Sequence, residues 1–281
     1  MKKISLILIL VICCALLFSC GKPKARDITD ADGNVVAVGY YDGDKLLYEE
    51  KSDSNGNLAE KTTYDDDGRV EKVESYAVGF LAEEVEYEYD SEENYVEVST
   101  VYNNKGVVTT VTETNYENGL PVSSTTTVPL ENGESDVQQS TFTYNDDGTV
   151  LEVITSGDNK IRETLTDGNG VVIYDHEFFD TGASAKTFYT EAGVVLKVEN
   201  YTAEGELLVT IVNTYDEDGT LIKTHSYDKD SVLKEYSDFV YINGSLRAVY
   251  KYNANGTIHT SVIYDEQGKA TIYEGKYIPV D

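Results

Sequence analysis

The sequence predicts an all-β fold, a repetitive antiparallel β-hairpin array forming a long twisted or partly rolled sheet. Three observations predict it. A tyrosine, a short turn often rich in Asp and Asn, a glycine, and an aliphatic residue two positions on recur almost from end to end, as in Tyr64-Asp65-Asp66-Asp67-Gly68-Arg69-Val70. The glycine or its substitute returns at intervals of about a dozen residues, one strand plus one turn, most regularly at Gly182, Gly193, Gly205, Gly219, Ser231, Gly244, Gly256 and Gly268. After the amino-terminal segment no capped apolar pattern of helical period competes with the two-residue alternation. Repetition this dense settles architecture and leaves little sequence free for an active site.

The amino terminus has its own logic. Lys2 and Lys3 precede an apolar run from Ile4 to Phe18 that is too short to span a bilayer and reads as a secretory signal over residues 1–19. It ends in Leu17-Phe18-Ser19-Cys20-Gly21, which resembles a bacterial lipobox. That resemblance implies cleavage before Cys20 and lipid attachment at Cys20, so the chain would be held to a membrane through its amino-terminal lipid. Cys13 and Cys14 lie in the segment to be removed, which leaves no free pair of cysteines for a disulfide. Gly21 follows the cysteine where a retention signal would place Asp, which favours the outer membrane, on its periplasmic face or at the cell surface. Residues 20–27 read as a lipidated tether and 28–281 as one continuous repeat domain.

Charge narrows the partners. The chain carries 22 basic and 51 acidic residues, a net charge of −29, and loss of Lys2 and Lys3 with the signal makes it 20 − 51 = −31. Such a field repels phosphate backbones, so a nucleic-acid partner is excluded from the expectations. Its simplest role is solubility, because like charges discourage sheet edges from pairing between molecules.

Each repeat predicts a turn and a strand together. Asp and Asn hydrogen-bond their own backbone and glycine supplies a positive φ, so Tyr-Asp-x-Asp-Gly is a reversal with a mechanism. A form one residue shorter occurs at Tyr76-Ala77-Val78-Gly79, Tyr116-Glu117-Asn118-Gly119 and Tyr241-Ile242-Asn243-Gly244. Along the strands, period two puts Val195, Lys197, Glu199 and Tyr201 on one face and Val194, Leu196, Val198 and Asn200 on the other. With Thr, Lys and Glu between aliphatic and tyrosine ends, neither face is continuously apolar, and a thin core of cross-strand ladders is expected. From Val107 to Thr143 the chain becomes Thr-rich, with Pro121 and Pro129, and predicts the longest hairpins or a change of curvature.

Tyr64/Gly68/Val70, Tyr144/Gly148/Val150, Tyr215/Gly219/Leu221 and Tyr264/Gly268 are similar to the YD repeat of the Rhs family, and also to MORN-like repeats of secreted bacterial proteins. Ser52/Gly56/Leu58 and Tyr227/Ser231/Leu233 are degenerate copies. The resemblance implies a spiral or cocoon-like sheet, which in large Rhs proteins encloses a toxic carboxy-terminal domain. The sequence closes on repeat-like Tyr273-Glu274-Gly275-Lys276-Tyr277, so that enclosing role is not expected.

Reactive chemistry is sparse. His176, His225 and His259 lack metal-ligand spacing. Gly182-Ala183-Ser184-Ala185-Lys186 lacks the last glycine of a nucleophile elbow, so Ser184 reads as a turn-flanking serine. Gly168-Asn169-Gly170 opens no helix and is no phosphate loop. Asp30-Ala31-Asp32-Gly33, Asp65-Asp66-Asp67-Gly68 and Asp216-Glu217-Asp218-Gly219 look like pieces of a calcium loop. The first ligand position of that pattern, however, falls on Ile28, Thr63 and Thr214, and turn chemistry accounts for the aspartates. No cofactor, metal or catalytic residue is expected. The function expected is that of an envelope-anchored, non-enzymatic binding or scaffold lipoprotein presenting its sheet to a protein or polysaccharide. The alternative is an immunity or antitoxin-like protein whose acidic surface covers a basic toxin.

Overall fold

The computed structural model describes residues 22–280, and among them every regular element is a strand. The first are β1 (Lys24–Thr29), β2 (Val35–Asp42), β3 (Lys45–Ser52), β4 (Leu58–Tyr64), β5 (Val70–Ala77), β6 (Phe80–Tyr89) and β7 (Tyr95–Tyr102). Next come β8 (Val108–Glu117), β9 (Leu120–Pro129), β10 (Ser135–Tyr144), β11 (Val150–Ser156), β12 (Asn159–Thr166), β13 (Val172–Phe178) and β14 (Ser184–Tyr189). The last are β15 (Val195–Tyr201), β16 (Leu207–Tyr215), β17 (Leu221–Asp228), β18 (Leu233–Ile242), β19 (Ser245–Asn253), β20 (Ile258–Tyr264) and β21 (Ala270–Glu274). The strands belong to a 21-stranded sheet, in which chain neighbours pair antiparallel from β1 to β6 and from β8 to β21. β4, β15 and β20 each begin at the aliphatic residue of a repeat and end at its tyrosine.

The chain divides into two compact units, the described part of Met1–Tyr87 with Tyr102–Val107, and Glu88–Val101 with Val108–Asp281. The division precedes the threonine-rich stretch, whose strands β8, β9 and β10 have 10 residues each, among the longest of the chain. Pro121 and Pro129 sit at the second and last positions of β9. β1 starts at Lys24, so the sheet begins inside the stretch 20–27 assigned to a tether. Arg26 of that strand donates to the Gly43 carbonyl at 2.9 Å and lies over the Tyr41 ring.

Two turn designs make the hairpins. In the longer one the amide of the residue after the tyrosine donates to the carbonyl four residues on, and the glycine amide donates back, as at Asp65 N to Arg69 O (2.9 Å) and Gly68 N to Asp65 O (3.2 Å). The first side chain closes the loop: Asp65 Oδ1 accepts from the amides of Asp67 and Arg69 at 2.9 and 2.8 Å. Asp30, Asp53, Asp167, Asp216, Asp228 and Asp265 do the same. Gly219 and Gly256 have φ of 80° and 82°, and Ser231, the substitute in the series, is held at 62°. The register slips by one residue beside many of these turns, for example between Thr63 and Tyr64, the bulge that a type I turn followed by a left-handed residue produces. In the shorter design two consecutive left-handed residues turn the chain: Val78 and Gly79, Asn118 and Gly119, Asn243 and Gly244.

The core is thin. Among the described residues only Ala37, Ala248, Val249 and Tyr250 are buried apolar side chains. Stacked cross-strand rings do much of the packing, with centroids 4.4 Å apart for Tyr40 and Tyr48, 4.4 Å for Tyr95 and Tyr116, and 4.7 Å for Tyr236 and Tyr252. The chain after β21 folds over β19 and β20: Tyr277 stacks on Tyr250, whose hydroxyl donates to Ile278 O at 2.6 Å, while Ser261 Oγ donates to Lys276 O.

Candidate functional site

The densest group of chemically capable side chains lies on one face of β12–β15, in the second unit. Its arrangement follows from register alone, because residues directly opposite in antiparallel strands share a face. Glu163 faces His176, His176 faces Lys186, and Lys186 faces Glu199; beside this row, Tyr174 faces Phe188 and Phe188 faces Lys197. Phe178 faces Ser184, and Ser184 faces Tyr201. The face thus alternates rings, ammonium groups and carboxylates. Lys186 Nζ sits 3.5 Å from the Tyr174 ring centre and Lys197 Nζ 4.1 Å from that of Phe188. Lys197 also donates to Glu199 Oε1 at 2.7 Å, and the Tyr201 hydroxyl to Glu199 Oε2 at 2.6 Å.

Burial and these contacts set the proton affinities. Partial burial, and then the hydrogen bond to Glu199, push the Tyr201 phenol up to about 12. Burial pushes Glu199 upward too, but hydrogen bonds from Lys197 and Tyr201 outweigh it and hold the carboxyl below its usual range. Burial lowers the imidazolium of His176, against an opposing pull from Glu163, so the ring favours its neutral form.

Ser184 is the first residue of β14, directly after the turn, as the sequence suggests, yet its surroundings are not those of a simple turn flank. His176 Nε2 lies 2.9 Å from its Oγ, and Glu163 Oε2 lies 3.7 Å from His176 Nδ1. The order Ser-His-Glu across three strands has the polarity of a hydrolytic triad. Two parts of such a site are built otherwise here. Ser184 is only 8% exposed, and the amides around it belong to strands paired on both sides, so they are spent in the ladders instead of converging on an oxyanion position. Ser184 and His176 hydrogen-bond each other beside Phe178, whose ring centre is 4.2 Å from that of His176, while Glu163 Oε1 accepts from Lys160 Nζ at 2.5 Å. Next to them the turns at Asp158 and Asp180, with Lys160 and Phe178, line an open cavity of about 500 Å³.

The first unit carries the same Lys-x-Glu-x-Tyr alternation at Lys72, Glu74 and Tyr76. Tyr76 donates to Glu74 Oε1 at 3.4 Å, while Lys72 pairs with Glu84 of β6 at 2.6 Å. That recurrence is readable in the sequence. The meeting of His176 with Ser184 is not, since it depends on the length of the β13–β14 turn. Cys20, the one site residue the sequence singles out, lies outside the described residues. The aspartates of the calcium-like stretches use Oδ1 to accept turn amides, and among the described residues no group of three or more His, Cys, Asp and Glu is placed to hold a metal.

No family model matches the chain. No curated protein matches it. Among solved structures, it is similar to a porin-like protein from Bacteroides vulgatus ATCC 8482, with 10% identity, 82% of this chain and 97% of that chain covered, and a TM-score of 0.24. A porin-like protein from Bacteroides uniformis ATCC 8492 gives 11% identity, coverage of 76% and 88%, and a TM-score of 0.21. TcdB2-TccC3 without its hypervariable C-terminal region gives 10% identity, coverage of 88% of this chain and 22% of that chain, and a TM-score of 0.14.

Proposed function

We propose that this is an envelope lipoprotein, anchored through Cys20, whose repeat sheet is a non-enzymatic recognition surface. The observation that carries the proposal is the alternating face of β12–β15, where Lys186 and Lys197 stand over Tyr174 and Phe188 beside Glu199 and Tyr201. Tyrosine offers large, stiff contact area with a polar tip, and lysine and glutamate rows set register and sign. The partner proposed is a protein. Stacking a sugar on Tyr174 or Phe188 would displace the ammonium groups that already cover them, whereas carboxylates of a partner protein pair with Lys186, and with Lys197 beside Glu199, while both ammonium groups stay over their rings. The YD-type repeat supplies the scaffold, since each hairpin adds another strand of exposed face.

Two measurements on cells producing the chain test this. Fatty-acid labelling marks the wild type and misses Cys20→Ala, which leaves the detergent fraction; equal labelling of both sinks the anchor. Envelope proteins and envelope polysaccharides, fractionated separately, are then titrated onto the purified chain. Saturable binding by the protein fraction is expected, and binding by the polysaccharide fraction alone removes the choice of partner.

A further inference from the structure

From the geometry of β21 we infer that two copies of this chain associate edge to edge, β21 pairing antiparallel with β21 about Ile272. The Gly275 amide donates to His259 O at 2.8 Å, continuing the ladder in which Glu274 faces Thr260, Tyr273 faces Ser261 and Ile272 faces Val262. Antiparallel residues alternate between pairs that exchange backbone bonds and pairs that do not, so Tyr273 and Thr271 bond to β20 while Ala270, Ile272 and Glu274 aim their amides and carbonyls outward. Among the described residues, β21 pairs only with β20.

This edge lacks three of the usual protections. Its pairing with β20 has no bulge, in contrast to β19 with β20, which slips between Lys251 and Tyr252. Residues 270–274 include no proline and no lysine, and every one of them is exposed. Bulges, prolines and lysines are among the devices that keep edges from pairing; of the others, β21 has a short length, five residues, and one charged side chain, Glu274.

The second copy is chosen as occupant by the side chains. Phe239, Val249, Val262 and Ile272 stand opposite one another in turn across β18, β19, β20 and β21, one apolar row on one face. Val249 is 7% exposed, but the row runs off the sheet at Ile272, which is 67% exposed. A two-fold axis through Ile272 sets Ile272 against Ile272 of the other copy and Ala270 against Glu274, each facing pair exchanging both of its backbone bonds. The apolar row then continues from one copy into the other. Ala270 leaves room for the Glu274 side chain to stay in water, and no like charges face each other. Centring on Thr271 or Tyr273 is excluded, because their polar backbone groups are already spent on β20.

Sedimentation of the full chain in detergent, with the micelle density-matched, tests the inference. The wild type and Thr271→Lys sediment as dimers, and Ile272→Lys, which sets two ammonium groups against each other on the axis, sediments as a monomer with an unchanged β-type circular dichroism spectrum. Added salt tightens the dimer, because it screens the net charge of −29 that opposes association. Facing Cα atoms in a bonded antiparallel pair are about 5.5 Å apart, within reach of a disulfide, so oxidised Ile272→Cys gives a covalent homodimer that the wild type does not. A monomeric wild type, a dimer untouched by Ile272→Lys, or an Ile272→Cys disulfide to a different polypeptide each overturns the inference.

Discussion

Tyr201 donates its hydroxyl hydrogen to Glu199 Oε2 at 2.6 Å, two residues back along the same strand face. The consequence is a phenol held neutral well above its ordinary range, at about 12, through burial and then through Glu199. A group whose folded pKa is raised contributes stability that is fully present below its unfolded value and is lost as pH rises through the folded one. Wild-type stability is therefore expected to fall between pH 10 and about 12 more steeply than that of Tyr201→Phe. Urea midpoints of the two proteins across that range check it, and parallel curves would contradict it.

The opposite sign applies at the acid side. Burial lowers the folded pKa of His176, so its contribution is present above the unfolded value near 6.5 and is lost as pH falls through the depressed one. His176→Gln, which keeps a hydrogen-bonding side chain beside Ser184, is expected to flatten the loss of stability below about pH 6.5. Thermal midpoints at pH 7 and pH 5 read this out directly, and an unchanged slope speaks against it.

Turn geometry gives predictions of both directions. Val78 holds a φ of 49° at the place where the other short turns carry Asn118 and Asn243, and it is fully exposed. A β-branched residue is strained there, so Val78→Asn should stabilise by about 0.5–1.5 kcal/mol. Gly219→Val places a β-branched side chain at φ 80° and should cost about 1–3 kcal/mol. No atom lies within 4 Å of a Cβ added at Gly219, so the cost is conformational and not a clash. Denaturant titration of both variants measures it, and a tolerated Gly219→Val would contradict the turn assignment.

Such turns were legible because their chemistry is local. Tyr-Asp-x-x-Gly contains its own hydrogen bonds, and period two fixed which of Lys197, Glu199 and Tyr201 share a face. The meeting of Ser184 with His176 was not legible, because it is a diagonal contact whose partner depends on the residues spent in the intervening turn. The strap at Tyr277 was equally hidden: Gly275-Lys276-Tyr277 continues the repeat in composition, yet the chain leaves the ladder after Gly275 and packs on Tyr250. The start of the sheet at Lys24 is a third case, since basic residues beside a proline look like linker until Arg26 is seen against Gly43 and Tyr41.

The strap offers its own test. Tyr250 is 3% exposed under Tyr277, with ring centres 4.6 Å apart, although Tyr277 itself is largely exposed. Tyr277→Ala removes the stacking partner and should destabilise the second unit by about 0.5–1.5 kcal/mol. It also uncovers the Tyr250 phenol, which burial and then Tyr277 raise to about 12, so the pKa of that phenol should fall. Absorbance titration of the tyrosinates, compared between the two proteins, detects the change, and superimposable titrations would show that the strap does not cover Tyr250 in solution.

The most direct test of recognition by the β12–β15 face is the affinity of fractionated envelope protein for the full chain and for its Lys186→Glu/Lys197→Glu variant, measured side by side at fixed salt. Reversing both charges leaves the strand ladders intact while removing the ammonium groups above Tyr174 and Phe188. Binding weakened by about tenfold or more, equivalent to roughly 1.4 kcal/mol, is the expected result. Equal binding by both proteins, with both folded, would contradict it.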